Sequence, residues 1–109
     1  MKDLIICSGY NVYPRVIEDA LYSHPAVAEA VVIGVPDAYR GQSPKAFVKI
    51  KDGETLTAEA LKSYLVTQLS KIEIPHEIEF RTELPRTLIG KFSKKALLEE
   101  EMAKAGKQI

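Results

Sequence analysis

The run Val27-Ala28-Glu29-Ala30-Val31-Val32-Ile33-Gly34-Val35-Pro36-Asp37 decides the fold. Rich in Val and Ile, the run is apolar but for Glu29, and Gly34 and Pro36-Asp37 punctuate its end, so residues 27–35 read as a buried strand. The apolar core of the run is far too short to cross a bilayer. Asp37 to Pro44 reads as a loop. Lys45-Ala46-Phe47-Val48-Lys49-Ile50 then alternates polar and apolar side chains, the pattern of a strand with one face buried.

Upstream, Leu4-Ile5-Ile6-Cys7 is β-prone, Ser8-Gly9 is a turn, and residues 10–13 return as the second strand of a hairpin. Pro14 suits a first helical turn, and Ile17, Ala20 and Leu21 repeat at helical spacing with Glu18 and Asp19 pointing outward. His24-Pro25 stops that helix. Downstream, Asp52-Gly53 is a turn and Thr57 an N-cap with Glu59 in the first turn. Leu61, Tyr64, Leu65 and Leu69 form the apolar stripe of a second helix. Residues 77–81 alternate as a third core strand, residues 83–91 form a loop, and Ser93 caps a last helix running to about Ala103, with Ala96, Leu97 and Met102 as its apolar residues. The expected fold is α+β: a small β-sheet with a leading β-hairpin, covered by three helices.

The 109 residues fit one domain, large enough to bury a core without metal or disulfide staples. Fifteen basic residues balance fifteen acidic ones, which excludes a general polyanion binder and gives no nucleic-acid partner. The single cysteine, Cys7, sits in an apolar run and reads as a core residue. With no internal disulfide available, the setting is a reducing cytoplasm. No transmembrane segment or signal peptide is expected: Lys2 and Asp3 make a poor basic leader, and no cleavage site follows. No metal-ligand spacing is present.

Three segments exceed what a core requires. Leu84-Pro85-Arg86-Thr87-Leu88-Ile89-Gly90-Lys91 sets a long cationic stem on a glycine-containing loop, a device for reaching an anion. Pro85 and Phe92 exclude a P-loop, which needs Gly and Ser or Thr there. Ser8-Gly9-Tyr10 would let a ligand approach the backbone closely. Ile33-Gly34-Val35-Pro36-Asp37 with Gly41-Gln42 is the third. Each has a plain structural reading: solvated lysine, hairpin glycine, strand-end punctuation.

In this order, together with Lys2-Asp3-Leu4-Ile5 and Asn11-Val12-Tyr13-Pro14, the segments resemble the C-terminal domain of the adenylate-forming (AMP-binding) superfamily. The resemblance runs from residue 2 to about residue 98 and is strongest to bacterial medium- or long-chain fatty acyl-CoA synthetases. It implies that residues 1–109 are a lid domain and that a large N-terminal domain, its principal partner, lies outside this chain. The reaction it implies makes acyl-AMP from a carboxylate and ATP with Mg2+, then acyl-CoA from CoA. Lys91 is the implied adenylation lysine, supported by Pro85, Arg86, Thr87 and Gly90. Ser8, Gly9 and Tyr10 border the implied CoA tunnel, and Lys2 is the implied hinge. A protein acetyltransferase acting on Lys91 is a further implied partner, and the full-length enzyme is expected in the cytoplasm or peripherally on a membrane. Gln42 stands where many relatives have Glu. Alternatives are an aromatic or dicarboxylic acid–CoA ligase, an adenylation domain loading a carrier protein, or a non-catalytic module with this fold.

Overall fold

The structure, a computed structural model, describes residues 4–106. The implied hinge Lys2 lies outside the described residues. The elements are β1 (Ile5–Cys7), β2 (Tyr10–Val12), α1 (Pro14–Tyr22), β3 (Val27–Asp37), β4 (Gly41–Ile50), α2 (Ala58–Val66), a 3-10 turn (Lys71–Glu73), β5 (Glu77–Phe80) and α3 (Lys94–Gly106). The α+β expectation therefore holds, with the leading hairpin and all three helices.

β3 and β4 form the long antiparallel ribbon at the centre, paired from Val27↔Ile50 to Asp37↔Gly41 with one irregularity between Val27 and Glu29. The strand order is β2-β1-β4-β3, and β5 also lies on β4. Two neighbours share one edge of β4. β1 meets its start at Cys7↔Gly41, and β5 runs parallel to it from Lys45↔Glu77 to Val48↔Phe80. Pro44 sits where one neighbour hands over to the other. A missing N–H is tolerated there, while its carbonyl accepts the His76 N–H at 3.1 Å.

The two ends of the ribbon correct the loop read over residues 37–44. Strand pairing continues to Asp37 and resumes at Gly41, so only residues 38–40 turn. Asp37 makes the turn, its Oδ1 accepting the N–H groups of Tyr39 and Arg40 at 2.9 Å each. Those backbone donors, joined by the nearby Arg40 guanidinium, hold its carboxyl below the usual range.

β4 is buried on both faces, not one. Ala46 and Val48 face a core built with Ile17 and Leu21 of α1 and Leu61 and Leu65 of α2. Phe47, with Val31 and Ile33 of β3, packs with Leu84 and Leu97 on the other side. Full burial of each large aliphatic side chain contributes about 1.5–3 kcal/mol. Thr57 caps α2 as expected, its Oγ1 accepting the Ala60 N–H at 3.1 Å. Leu69 falls beyond α2 and packs on the core from the following turn. On α3, capped by Ser93 Oγ on the Ala96 N–H at 3.2 Å, Leu97 is buried and Met102 exposed.

Two charged residues depart from the alternation. Glu18 does not point outward: its Oε2 accepts the Val32 N–H at 2.9 Å, on the edge of β3 away from β4, and the Lys94 ammonium lies 3.1 Å away. Lys45 is buried. Its Nζ lies 2.8 Å from Glu101, 3.1 Å from Glu79 and 3.2 Å from Glu77, tying α3 to the sheet. Burial opposes its charge, but the three carboxylates outweigh that and raise its pKa.

Candidate functional site

The chain from Leu84 to Lys91 is a braced turn. Leu84 is buried in the smaller core and roots one end. Arg86 and Phe92 form an isolated antiparallel bridge, and the Ser93 N–H reaches Pro85 O at 2.8 Å. The tip closes through Thr87 N–H to Lys91 O at 2.6 Å and Gly90 N–H to Thr87 O at 2.9 Å. Gly90 has φ +84°, a conformation glycine adopts without the Cβ clash, and a Cβ there would meet nothing within 4 Å. Its requirement is the backbone, not space.

Arg86 holds this turn from the side. Its guanidinium stacks on the Phe92 ring at 4.4 Å, donates to Gly90 O at 2.9 Å, and pairs with Glu29 on β3. Lys91 follows directly. It is exposed, and among the described residues its ammonium has no hydrogen-bond or ion-pair partner. A cation on a stiff stalk can enter a site carried by another body. Beside it, Leu88 and Ile89 are almost wholly exposed.

The second candidate, Ser8-Gly9-Tyr10, is the tip of the β1–β2 hairpin. Ser8 (φ 53°) and Gly9 (φ 83°) are both left-handed, as a two-residue hairpin turn demands. The Ser8 N–H donates to Arg40 O at 2.8 Å, joining this tip to the β3–β4 turn. Tyr10 is exposed and helps to line a groove of about 590 Å³ that also includes Arg40, Lys62, Lys71 and His76. Arg40 pairs with Asp37 at 3.3 Å and Lys62 donates to the His76 carbonyl at 2.8 Å, so the groove gathers positive charge beside an otherwise largely apolar lining. Sequence reading missed these four side chains because they come from four separate segments with no shared spacing. Only the topology brings them together.

The third segment proves structural. A Cβ on Gly34 would lie 3.0 Å from Ile5 Cγ1 and 3.2 Å from Gln42 Nε2, so the glycine is there for close packing. Gln42 Oε1 accepts the Ile6 N–H at 3.0 Å and fastens β1 to β4. Cys7 is a buried free thiol in the larger core, as expected.

The two candidate sites are not brought together. Glu29, which anchors the Lys91 turn, pairs with Lys49 near the end of β4, whereas the hairpin joins β4 at Gly41. Eight residues of strand separate those positions, roughly 26 Å. Among the described residues no group of three or more His, Cys, Asp or Glu side chains is placed to hold a metal ion. No helix of the described residues is long and apolar enough to cross a membrane.

A small α+β domain that offers a lone cation at one end and a glycine hairpin at the other defines a class that comparison with known proteins makes explicit. Residues 16–91 match the AMP-binding enzyme C-terminal domain, and the chain belongs to that family. It is 50% identical over 100 residues to a long-chain-fatty-acid–CoA ligase of Bacillus subtilis, covering 92% of this chain and 18% of the relative. A ligase of the same name from Haemophilus influenzae is 46% identical over 106 residues, covering 97% of this chain and 19% of the relative. Among solved structures, the Brucella canis acyl-CoA synthetase superposes with a TM-score of 0.88 at 42% identity, covering 94% of this chain and 20% of that one. Apo MatB from Rhodopseudomonas palustris gives 0.87 at 39% identity, covering 91% and 20%. The chain thus spans about a fifth of the length of these relatives.

Proposed function

We propose that this chain is the lid domain of an ATP-dependent fatty acid–CoA ligase, acting on a large domain that carries the nucleotide and acyl sites. The observation that carries the reading is the separation of two differently built ends: an unpartnered Lys91 on a braced turn, and a glycine-tipped hairpin beside a basic groove. A two-step synthesis needs both. Acyl-AMP formation develops negative charge at the α-phosphoryl group, and a preorganised ammonium opposes it. Thioester formation needs a route for the CoA thiol, and phosphates at the far end of CoA need cations. Lys91 serves the first step; Ser8, Gly9 and Tyr10, with Arg40, Lys62 and Lys71, serve the second. Lys91 and the hairpin lie toward opposite ends of the β3–β4 ribbon, which suits a lid that rotates between steps to present first one and then the other. Lys2 is the hinge in this reading. The identities to long-chain-fatty-acid–CoA ligases support a fatty acid as the substrate class.

An exposed, unpaired Lys91 is also open to acetylation, which would remove the charge the first step uses. We place the enzyme in the cytoplasm, where its free Cys7 stays reduced.

The test is Lys91→Ala in the enzyme that carries both domains, with the half-reactions measured separately. Acyl-AMP formation should fall about 100-fold or more, the scale of one lost transition-state contact. Thioester formation from supplied acyl-AMP should be largely spared. Equal losses in both would remove Lys91 from the chemistry.

A further inference from the structure

We infer that Glu29 is a positioning residue for Lys91, acting through Arg86; this rests on the proposed role of Lys91 in acyl-AMP formation. The Lys91 turn has hydrogen bonds of its own, but they lie at an exposed tip, and keeping that tip closed and aimed needs more than those two bonds. Within the turn, Thr87 N–H donates to Lys91 O and Gly90 N–H to Thr87 O, and the Gly90 carbonyl is left to accept from Arg86. Direction needs a tie to a rigid body, and Arg86 supplies it. Its guanidinium is held on three sides: the Phe92 ring beneath it, the Gly90 carbonyl at the tip, and the Glu29 carboxylate on the sheet. Glu29 lies on β3, paired opposite Lys49 just past the irregularity at Val27, so its backbone is held by the sheet. The planar fork of arginine lets one side chain reach Glu29 with Nη2 and Gly90 O with Nη1 at once. Lysine could not make both contacts in fixed relative geometry.

Charge adds a second reason. Arg86 directly precedes the closed turn and, unpaired, would itself be a cation competing for an anionic ligand. Paired with Glu29, it leaves Lys91 as the positive charge presented by the turn. Glu29 is 23% exposed and Arg86 46%, so the carboxylate is partly shielded while the guanidinium stays open to solvent on one side. No other acidic side chain is recorded in contact with Arg86 among the described residues. The sequence placed Glu29 as a mere interruption in an apolar strand; the fold puts it against the candidate site.

The experiment has two arms. In this chain, Glu29→Gln keeps the side chain's size and removes its charge. Amide hydrogen exchange at Thr87 and Gly90 should speed at least about tenfold relative to the unmutated chain, with exchange in β3 and β4 unchanged. Unchanged protection at those two amides overturns the clamp. In the two-domain enzyme, Glu29→Gln should slow acyl-AMP formation by roughly 10- to 100-fold, the scale of a misplaced reacting group, with thioester formation spared. A general loss of structure would slow both steps. Arg86→Gln with Glu29→Gln should be no slower than Arg86→Gln alone, since both act through one contact. Fully multiplicative effects would overturn the shared path. If Lys91→Ala slows acyl-AMP formation and Glu29→Gln does not, the positioning role is wrong while the proposed function stands. If Lys91→Ala is itself harmless, the proposed function falls and takes the positioning role with it, whatever the exchange arm shows about the turn.

Discussion

A glycine can be required by its backbone, by its neighbours, or by a ligand, and Gly9 and Gly34 separate these causes. Gly34 has neighbours at 3.0–3.3 Å from where a Cβ would sit, so Gly34→Ala should destabilise the fold directly. Gly9 has φ +83° and nothing within 4 Å of that position. Asn tolerates the left-handed region better than other residues with a side chain, so Gly9→Asn keeps the turn while filling the open space. The melting temperature of this chain should then drop little, a loss of about 1 kcal/mol or less. Within this domain the new side chain meets nothing. If the two-domain enzyme nevertheless loses thioester formation while acyl-AMP still forms, the obstructed space belongs to the CoA route. Normal thioester formation by Gly9→Asn would leave the hairpin glycine a turn residue and nothing more.

At the scale of elements, α3 is held to the sheet by charge as much as by Leu97. Lys45 on β4 bonds Glu77 and Glu79 of β5 and Glu101 of α3, while Arg81 bonds Glu79 and Glu100, each at 2.6 Å. Lys104 adds contacts to Glu79 at 3.3 Å and Glu101 at 3.1 Å. Burial would raise the Glu79 carboxyl, but Arg81, Lys45 and Lys104 outweigh it and hold it at about 2. Glu101 is lowered in the same way, burial opposing and Lys45 and Lys104 prevailing. A carboxylate depressed in the folded state stabilises the fold above its ordinary value and loses that contribution as pH falls through the folded value. Starting from the ordinary 4.5, the fold should lose stability progressively down to about pH 2, measured by thermal unfolding across that range. Lys45→Met should cost about 3 kcal/mol at neutral pH, because it leaves carboxylates short of a partner in a partly dry site. It should also flatten the acid decline. An unchanged decline would place the acid sensitivity elsewhere.

This network also marks the limit of what sequence could tell. Helices and the hairpin were legible because their signals are local: Pro14 at a helix start, Thr57 as a cap, Ser8-Gly9 in a tight turn. The alternation over residues 45–50 misled because Lys45 is polar yet buried. A buried ammonium is allowed only by partners up to 56 residues away in sequence. Residues 37–44 misled because Pro and Gly usually break strands, and Pro44 is tolerated only by a change of neighbour along β4. Lys91 and Gly9 could be put forward as candidates from motif order. Glu29 and the groove could not, since the contacts that make them candidates are created by folding.

For the molecule as a whole, two candidate ends on one sheet make the domain, in the proposed reading, a carrier of parts rather than a complete catalyst. Its core is whole: two clusters of buried apolar residues lie on opposite faces of the sheet, joined through β3 and β4. No buried side-chain nitrogen or oxygen among the described residues lacks a hydrogen-bond partner. Such a core should fold without help, so this chain should show a single cooperative thermal transition, with coincident loss of far- and near-UV circular dichroism. Its candidate sites are the opposite. Lys91 projects into solvent, and the basic groove lies open, so nothing in the described residues encloses a nucleotide or an acyl chain. Catalysis by an isolated cation in water is weak, because the surrounding dielectric screens it. Supplied with ATP, magnesium, CoA and a fatty acid, the folded chain should therefore release no AMP and form no acyl-CoA. Added to a separately made large domain from a relative such as the Bacillus subtilis ligase, it should restore some acyl-AMP formation, and Lys91→Ala should abolish that gain. Turnover by the chain alone would show that a complete site had been overlooked. Failure to fold alone would show that the interface with the large domain contributes to the core.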